Sequence, residues 1–154
     1  MFRQSEVYEH IGVDPITPVI GAEVSCVNLA QVPLPDALQE IHLALMRHQV
    51  LFFHNQDITP AEFSAWAGQF GRLRKARRAA FELLEEAPEV AVIVNDKSRP
   101  PNVNHFHPDG IFRKQPEFAS ILHGKEVPEY GGDTVFVSMT AAYEALSTDM
   151  KSYL

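Results

Sequence analysis

The chain contains 154 residues, of which 45% are hydrophobic and 21% are charged, so it is long enough to bury a core and has the composition of a soluble globular protein. A formal net charge of −7 argues against nucleic acid as a partner, and no apolar run is as long as a membrane helix. The amino terminus does not resemble a signal peptide, and the single Cys26 cannot form an internal disulfide, so a cytoplasmic location is expected.

Two strands and one amphipathic helix are predicted in the first third of the chain. Residues 16–24 mix β-branched residues with Pro and Gly, which favours a short strand after Pro18. Residues 36–48 repeat apolar side chains at helical spacing. The apolar run at residues 50–53 is typical of a buried strand, and the histidines that flank it, His48 and His54, are interpreted as packed or hydrogen-bonded at the strand ends rather than metal-binding.

Residues 59–62 read Thr-Pro-Ala-Glu, which is a capping box with proline at the first helical position. The helix that they open carries core-facing aromatics and ends at Gly71. These aromatic residues are Phe63, Trp66 and Phe70.

Residues 71–78 form a strongly basic stretch. A charge run of this kind is usually a solvated loop. It can equally steer an anionic substrate towards a site. Nucleic-acid binding is the least favoured of the three interpretations, because nothing else in the sequence supports it.

The second half predicts further short elements. A short helix is predicted at residues 81–87 and a buried strand at residues 89–95, followed by a polar surface loop at residues 96–104. Strands are predicted at residues 118–124 and 134–137. Ser138 is expected to cap a helix that runs to Leu146, and Ser147 is expected to cap another.

His107 and Asp109 lie two positions apart, and residues i and i+2 of an extended segment point to the same side. One imidazole nitrogen and one carboxylate oxygen can therefore meet at one metal ion. A second histidine would complete the two-histidine, one-carboxylate site of a non-haem Fe(II) oxygenase. A loop in which the aspartate caps a turn has the same spacing, so the motif alone leaves both interpretations open.

The surroundings of this motif resemble the taurine dioxygenase family, the TauD/TfdA type of Fe(II)- and 2-oxoglutarate-dependent dioxygenases, which includes the 2,4-dichlorophenoxyacetate dioxygenases. The likeness covers most of the chain from about Pro18 onward, with several motifs in the family's order. They are residues 47–53, 56–60, Phe70-Gly71, His107 to Asp109, Gly131-Gly132-Asp133-Thr134 and 141–146.

The resemblance implies a mixed α/β fold with a mainly β core, a double-stranded β-helix (jelly roll, cupin-like) with flanking helices. It implies a single domain over residues 1–154, the amino-terminal part of such a dioxygenase domain. Members of the family are nearly twice this size, so the chain is expected to be truncated. The second metal histidine and the 2-oxoglutarate-binding arginine are expected in the part that is absent.

The resemblance also assigns roles to individual residues. His107 and Asp109 are predicted to be catalytic residues that bind Fe(II), and Thr134 is predicted to bind the distal carboxylate of 2-oxoglutarate, although a threonine there is equally typical of the start of a strand. His105 is expected to pack beside the site. The implied partners are a small-molecule substrate and O2, with no nucleic acid and no membrane, and a homo-oligomer stays open.

Substrate residues are where the sequence departs from the taurine enzymes. Their substrate-binding histidine, tyrosine and asparagine align with Ala76, Ala79 and Val103, so taurine is not the expected substrate. Phe112 is expected to line the pocket, or else to belong to the core. The prediction is a dioxygenase that hydroxylates a small, anionic organic molecule and releases succinate and CO2.

Two other classes compete with that prediction. The first is a catalytically inactive, truncated member of the same family, since two ligands alone bind iron poorly. The second is a metal-dependent hydrolase, which would need zinc ligands and a general base that the sequence does not indicate.

Overall fold

The computed structural model describes residues 8–75, 82–101, 103 and 105–154. Five short strands and four α-helices lie in these ranges, together with one turn of 3-10 helix at Gly68–Phe70. The strands are β1 Gly12–Pro15, β2 Ala22–Ser25, β3 Leu51–Phe52, β4 Glu82–Leu83 and β5 Ala91–Val92; the helices are α1 Pro35–His48, α2 Pro60–Ala67, α3 Met139–Glu144 and α4 Thr148–Tyr153.

The chain forms two compact units. The first contains Pro33–Asp57 and Glu129–Leu154 with the described residues up to Leu29, and the second contains Ala30–Val32 and Ile58–Pro128. No helix within the described ranges is both long enough and apolar enough to cross a membrane.

The first unit is built on a three-stranded sheet in the order β1-β2-β3. Strand β1 pairs antiparallel with β2, with Val13 opposite Val24, and β2 pairs parallel with β3, with Ala22 opposite Leu51. Side chains along β2 alternate between buried and exposed, as expected for a sheet with one face on a core. Ile41 of α1 is fully buried in the same unit.

Helix α1 and the strand that follows it confirm the predictions for residues 36–48 and 50–53. The helix ends at Gln49, which adopts φ of +66° and donates its N–H to the Leu45 carbonyl. This left-handed residue reverses the chain, so that β3 can begin two residues later. The N–H of Ala22 donates to the carbonyl of Val50 at 3.0 Å and extends the pairing of β2 with β3.

A carboxylate of α1 ties down the segment that leads into β1. Glu40 accepts hydrogen bonds from the backbone N–H groups of Glu9 (2.9 Å), His10 (3.0 Å) and Ile11 (3.2 Å), and its Oε1 lies 3.0 Å from His10 Nδ1. Partial burial opposes ionisation of Glu40, but these hydrogen bonds outweigh it and lower its pKa to about 2. The same hydrogen bond to Glu40 raises the pKa of His10.

The stability of the chain should therefore depend on pH in two directions. Because the folded pKa of Glu40 lies below its ordinary 4.5, its contribution is present above that value and is lost as pH falls towards 2. Because the folded pKa of His10 lies above its ordinary 6.5, its contribution is present below that value and is lost as pH rises through the raised pKa. The free energy of unfolding, measured in urea at a series of pH values that spans both pKa shifts, should be constant between about pH 5 and 6.5.

Glu40→Gln removes the charge and should flatten both flanks of that profile, whereas Glu129→Gln, at an exposed position of the same unit, should leave it intact. A Glu40→Gln profile with the shape of the unaltered chain's would contradict the role of this carboxylate.

The second unit begins with α2, which confirms the predicted capping box. The Thr59 side chain accepts from the Glu62 N–H, and the Glu62 carboxylate accepts from the Thr59 N–H at 2.8 Å. Trp66 is 4% exposed and belongs to the core as predicted, whereas Phe63 and Phe70 are half-buried; the rings of Trp66 and Phe70 lie 5.0 Å apart. Strand β4 pairs antiparallel with β5 in a two-stranded sheet.

Three predicted elements are wrong. Residues 82–87 do not form a helix, because Glu82 and Leu83 pair with Val92 and Ala91 instead. Residues 118–124 and 134–137 do not form strands. An apolar run becomes a strand only when another segment completes its ladder, and strand pairing among the described residues is confined to the β1-β2-β3 and β4-β5 sheets.

The structure confirms other predictions for the second half of the chain. The strand predicted at residues 89–95 is confirmed in shortened form as β5, and the helix predicted after Ser138 is confirmed as α3. Ser147 caps α4 by accepting from the Met150 N–H. The mixed α/β class with sheets is therefore confirmed.

Candidate metal-binding site

His107 and Asp109 lie in an irregular segment of the second unit, and their side chains meet. The Nε2 atom of His107 is 3.4 Å from Oδ1 of Asp109. The two side chains are 50% and 66% exposed, so the atoms between which a metal would bind are open to solvent. The spacing argument from the sequence correctly places the two groups on one side of the chain.

The backbone of His105 selects one tautomer of the neutral His107 ring. Its carbonyl oxygen is 3.2 Å from His107 Nδ1. A carbonyl can only accept, so Nδ1 carries the hydrogen and Nε2 of the neutral ring is left with its lone pair. This is the tautomer in which Nε2 can bind a metal, and His105 supports it through its main chain rather than through its ring.

In the neutral ring, an acceptor nitrogen therefore faces a carboxylate oxygen. Two acceptors at this distance repel each other unless a proton or a metal cation lies between them. Two ligands at right angles on one ion, each with a bond of about 2.1 Å, would be about 3 Å apart, close to the separation found. One imidazole and one carboxylate are also a donor set that suits Fe(II).

His107 and Asp109 are the two predicted ligands within this chain, and they lie close together. No group of three or more histidine, cysteine, aspartate or glutamate side chains that could hold a metal ion is found in the part of the chain that the structure describes. Two ligands leave most of the coordination sphere to other groups.

A second set of contacts holds the segment after Asp109. Gly110 adopts φ of +65°, and a Cβ at this position would lie 2.1 Å from Glu117 Oε2. The other oxygen of Glu117 contacts Arg74 Nε and lies 3.4 Å from Arg113 Nε. Glu117 therefore links the basic stretch to the segment that carries the two ligands.

These contacts refine the interpretation of the basic stretch. Arg74 is an ion-paired residue, so it does not present a free positive charge, while Arg72 and Lys75 are exposed. Residues 76–78 lie outside the described residues. Steering of an anion would accordingly depend on the exposed members of the stretch rather than on Arg74.

Thr134 belongs to the first unit and is exposed. It follows Gly131 and Gly132, which adopt φ of +77° and +75°. Nothing lies within 4 Å of a Cβ built on Gly131, so the backbone conformation, not a lack of space, favours glycine there.

The residues proposed to line a substrate pocket are only partly described. Phe112 is 80% exposed and is not part of the core of this chain, and Arg113 Cζ lies 4.9 Å from its ring centroid. Val103 is also exposed. Ala76 and Ala79 lie outside the described residues.

Two polar residues near the ligands were not found from the sequence. Ser120 Oγ donates to Asp109 Oδ2 at 3.0 Å, and Glu117 makes the contacts described above. Neither residue belongs to a local motif, and both lie in a region where the sequence indicated only a strand or no element at all.

The sequence profile of the family "Taurine catabolism dioxygenase TauD, TfdA family" matches residues 12–154. The chain therefore belongs to the TauD/TfdA family, as its motifs predicted.

Comparison with individual proteins gives the same result. An alkylsulfatase from Acinetobacter baylyi is 32% identical, over 90% of this chain and 43% of its own. An alpha-ketoglutarate-dependent 2,4-dichlorophenoxyacetate dioxygenase from Cupriavidus pinatubonensis is 28% identical, over 92% of this chain and 54% of its own. The crystal structure of a taurine dioxygenase from Burkholderia xenovorans is 31% identical with a TM-score of 0.82, over 94% of this chain and 51% of that one. The chain thus spans about half the length of these proteins.

Gly110→Ala tests whether the turn after Asp109 is conformationally constrained. Alanine is disfavoured at φ of +65° and would displace Glu117, so the free energy of unfolding should fall by about 1–2 kcal/mol. Gly68→Ala is the matched control, since Gly68 has φ of −60° and open space around it. It should leave the stability unchanged or raise it slightly. Equal effects of the two substitutions in denaturant unfolding would contradict the constraint.

Proposed function

We propose that the whole protein containing this chain is an Fe(II)- and 2-oxoglutarate-dependent dioxygenase that oxidises a small, anionic organic molecule and releases succinate and CO2. The observation that supports it is the pair of facing atoms, His107 Nε2 and Asp109 Oδ1, in a chain that belongs to the TauD/TfdA family. Iron, 2-oxoglutarate and O2 together would supply the oxidising chemistry.

The chain's own residues would bind and orient these groups. His107 and Asp109 would hold the iron, with the His105 carbonyl keeping Nε2 available. Thr134 would donate its hydroxyl to the distal carboxylate of 2-oxoglutarate. The turn at Gly131 and Gly132 would aim that hydroxyl without strain, because glycine accepts a positive φ.

The relatives support an anionic substrate. Their names refer to a sulfate ester, a carboxylate and a sulfonate, which are three different acidic groups on small molecules. Arg72 and Lys75 are exposed cations suited to attracting such groups. Taurine itself is not favoured, since the side chains of Ala76, Ala79 and Val103, which align with substrate-binding residues of the taurine enzymes, cannot form polar contacts with a sulfonate.

The double-stranded β-helix is part of the same proposal. The structural match covers half of the Burkholderia enzyme. Apolar side chains in the two segments that were predicted as strands, such as Leu122, Val135 and Val137, are exposed. They would be buried if the corresponding strands of a complete jelly roll were paired with them. A cytoplasmic location stays a prediction.

The test is an anaerobic titration with Fe(II) and 2-oxoglutarate, followed by the visible charge-transfer absorption of the chelate. It would be run on the 154-residue chain and on the longest polypeptide that its gene encodes. Absorption with either polypeptide is the expected result, and its absence in both would overturn the function.

A non-catalytic member of the family is the second candidate. The observation in its favour is that the described residues supply two metal ligands rather than three. An enzyme should consume O2 and form succinate in the presence of both iron and 2-oxoglutarate, whereas a non-catalytic protein should bind at most the metal.

His107→Ala and Asp109→Ala should each abolish succinate formation by the active polypeptide, since each removes a ligand to the iron. His54→Ala is a suitable control, because His54 is an exposed histidine beside Glu23, 3.4 Å away, in the first unit. It should retain activity. Succinate formation by either ligand variant at the unaltered rate would refute the assignment.

Thr134→Val should raise the apparent KM for 2-oxoglutarate by about tenfold or more, because a hydrogen bond to a charged group would be lost. The value of kcat should change little at saturating 2-oxoglutarate. Thr140→Val, at an exposed position of α3, should leave KM unchanged. An unaltered KM in Thr134→Val would return this residue to a purely structural role.

A further inference from the structure

The hydrogen bond from Ser120 Oγ to Asp109 Oδ2, 3.0 Å long, occupies the carboxylate oxygen that does not face His107. Oδ1, the oxygen 3.4 Å from His107 Nε2, makes no hydrogen bond with the described residues. We infer that Ser120 is a positioning residue: it presents Oδ1 of Asp109 to the metal and prevents Oδ2 from binding the metal. This inference rests on the proposed metal site.

A carboxylate on an exposed loop needs such a partner. Asp109 is 66% exposed, and its two oxygens are chemically equivalent. Without a tether the group is free to rotate into solvent or to turn both oxygens towards the same cation. A hydroxyl that donates to Oδ2 opposes both motions and adds no charge to the site.

The choice of one oxygen matters for coordination. A carboxylate that binds through both oxygens occupies two positions, and a site of this type needs its remaining positions open for other groups. By engaging Oδ2, Ser120 would favour binding through Oδ1 alone. Its effect would therefore appear in the mode of metal binding as well as in the affinity.

The fold explains how two residues that are 11 apart in the sequence come together. The chain turns at Gly110, whose carbonyl accepts from the Arg113 N–H at 3.1 Å. Glu117 lies against this turn and is held by Arg74 and Arg113. These contacts return the chain towards Asp109, so that Ser120 can reach its carboxylate.

Ser120→Ala tests the inference, and Co(II) serves as a visible probe of the site. Loss of the hydroxyl should weaken Co(II) binding about tenfold or more, the usual effect of removing a hydrogen bond to a metal ligand. Ser120→Thr keeps the hydroxyl and should restore most of the affinity. The infrared carboxylate bands of the Co(II)-bound protein should change from the one-oxygen to the two-oxygen pattern in Ser120→Ala.

The chain offers a matched control. Ser98 Oγ donates to Asp96 Oδ1 at 2.6 Å, which is another serine–aspartate hydrogen bond on an exposed turn of the same unit. Ser98→Ala should lower the melting temperature about as much as Ser120→Ala and leave the Co(II) affinity unchanged. If both variants bind Co(II) as tightly as the unaltered chain and with the same carboxylate bands, Ser120 merely stabilises its loop and the inference is overturned.

His107→Ala in the same titration separates this inference from the function on which it rests. Loss of Co(II) binding in His107→Ala, with Ser120→Ala unaffected, would overturn only the role of Ser120. Co(II) binding that is insensitive to His107→Ala, or absent from both the 154-residue chain and the longest polypeptide that its gene encodes, would overturn the metal site and the role of Ser120 together.

Discussion

The chemistry proposed for this chain depends on one pair of facing atoms, His107 Nε2 and Asp109 Oδ1, which lie 3.4 Å apart. The His105 carbonyl accepts from His107 Nδ1, so in the neutral ring the lone pair is on Nε2, and Ser120 donates to the far oxygen of Asp109. Both contacts orient the two side chains through neutral groups. In the proposed site, they would hold Nε2 and Oδ1 in position to bind one cation.

The proximity of His107 and Asp109 could be predicted from the sequence, whereas the contacts of Ser120 and Glu117 could not. The two-residue spacing of His107 and Asp109 is local, and so is the Gly-Gly turn before Thr134. Ser120 contacts Asp109 and Glu117 contacts Arg74, partners that lie beyond the reach of a short motif, and no periodicity reports such contacts. The resemblance to the family supplied the roles of the ligands, but it gave no reason to single out Ser120.

The same distinction runs through the fold. Helices α1 and α2 could be predicted because their hydrogen bonds are internal and their caps are local, as in the Thr59–Glu62 box. Strands at residues 118–124 and 134–137 were predicted from composition alone. A strand is defined by pairing, and pairing depends on a second segment whose position the sequence does not give.

These two segments also connect folding to the site. Ser120 lies within the first of them and Thr134 begins the second, so two residues with proposed roles stand on backbone that is not part of a sheet among the described residues. A polypeptide that paired with either segment would fix the direction of those side chains and bury apolar neighbours such as Leu122 and Val135. The chain spans about half the length of its relatives. In the proposed enzyme, pairing of these two segments into strands would couple the free energy of strand formation to the free energy of binding metal and 2-oxoglutarate. Metal affinity would then increase with folding, as it does wherever ligands are ordered only in the folded state.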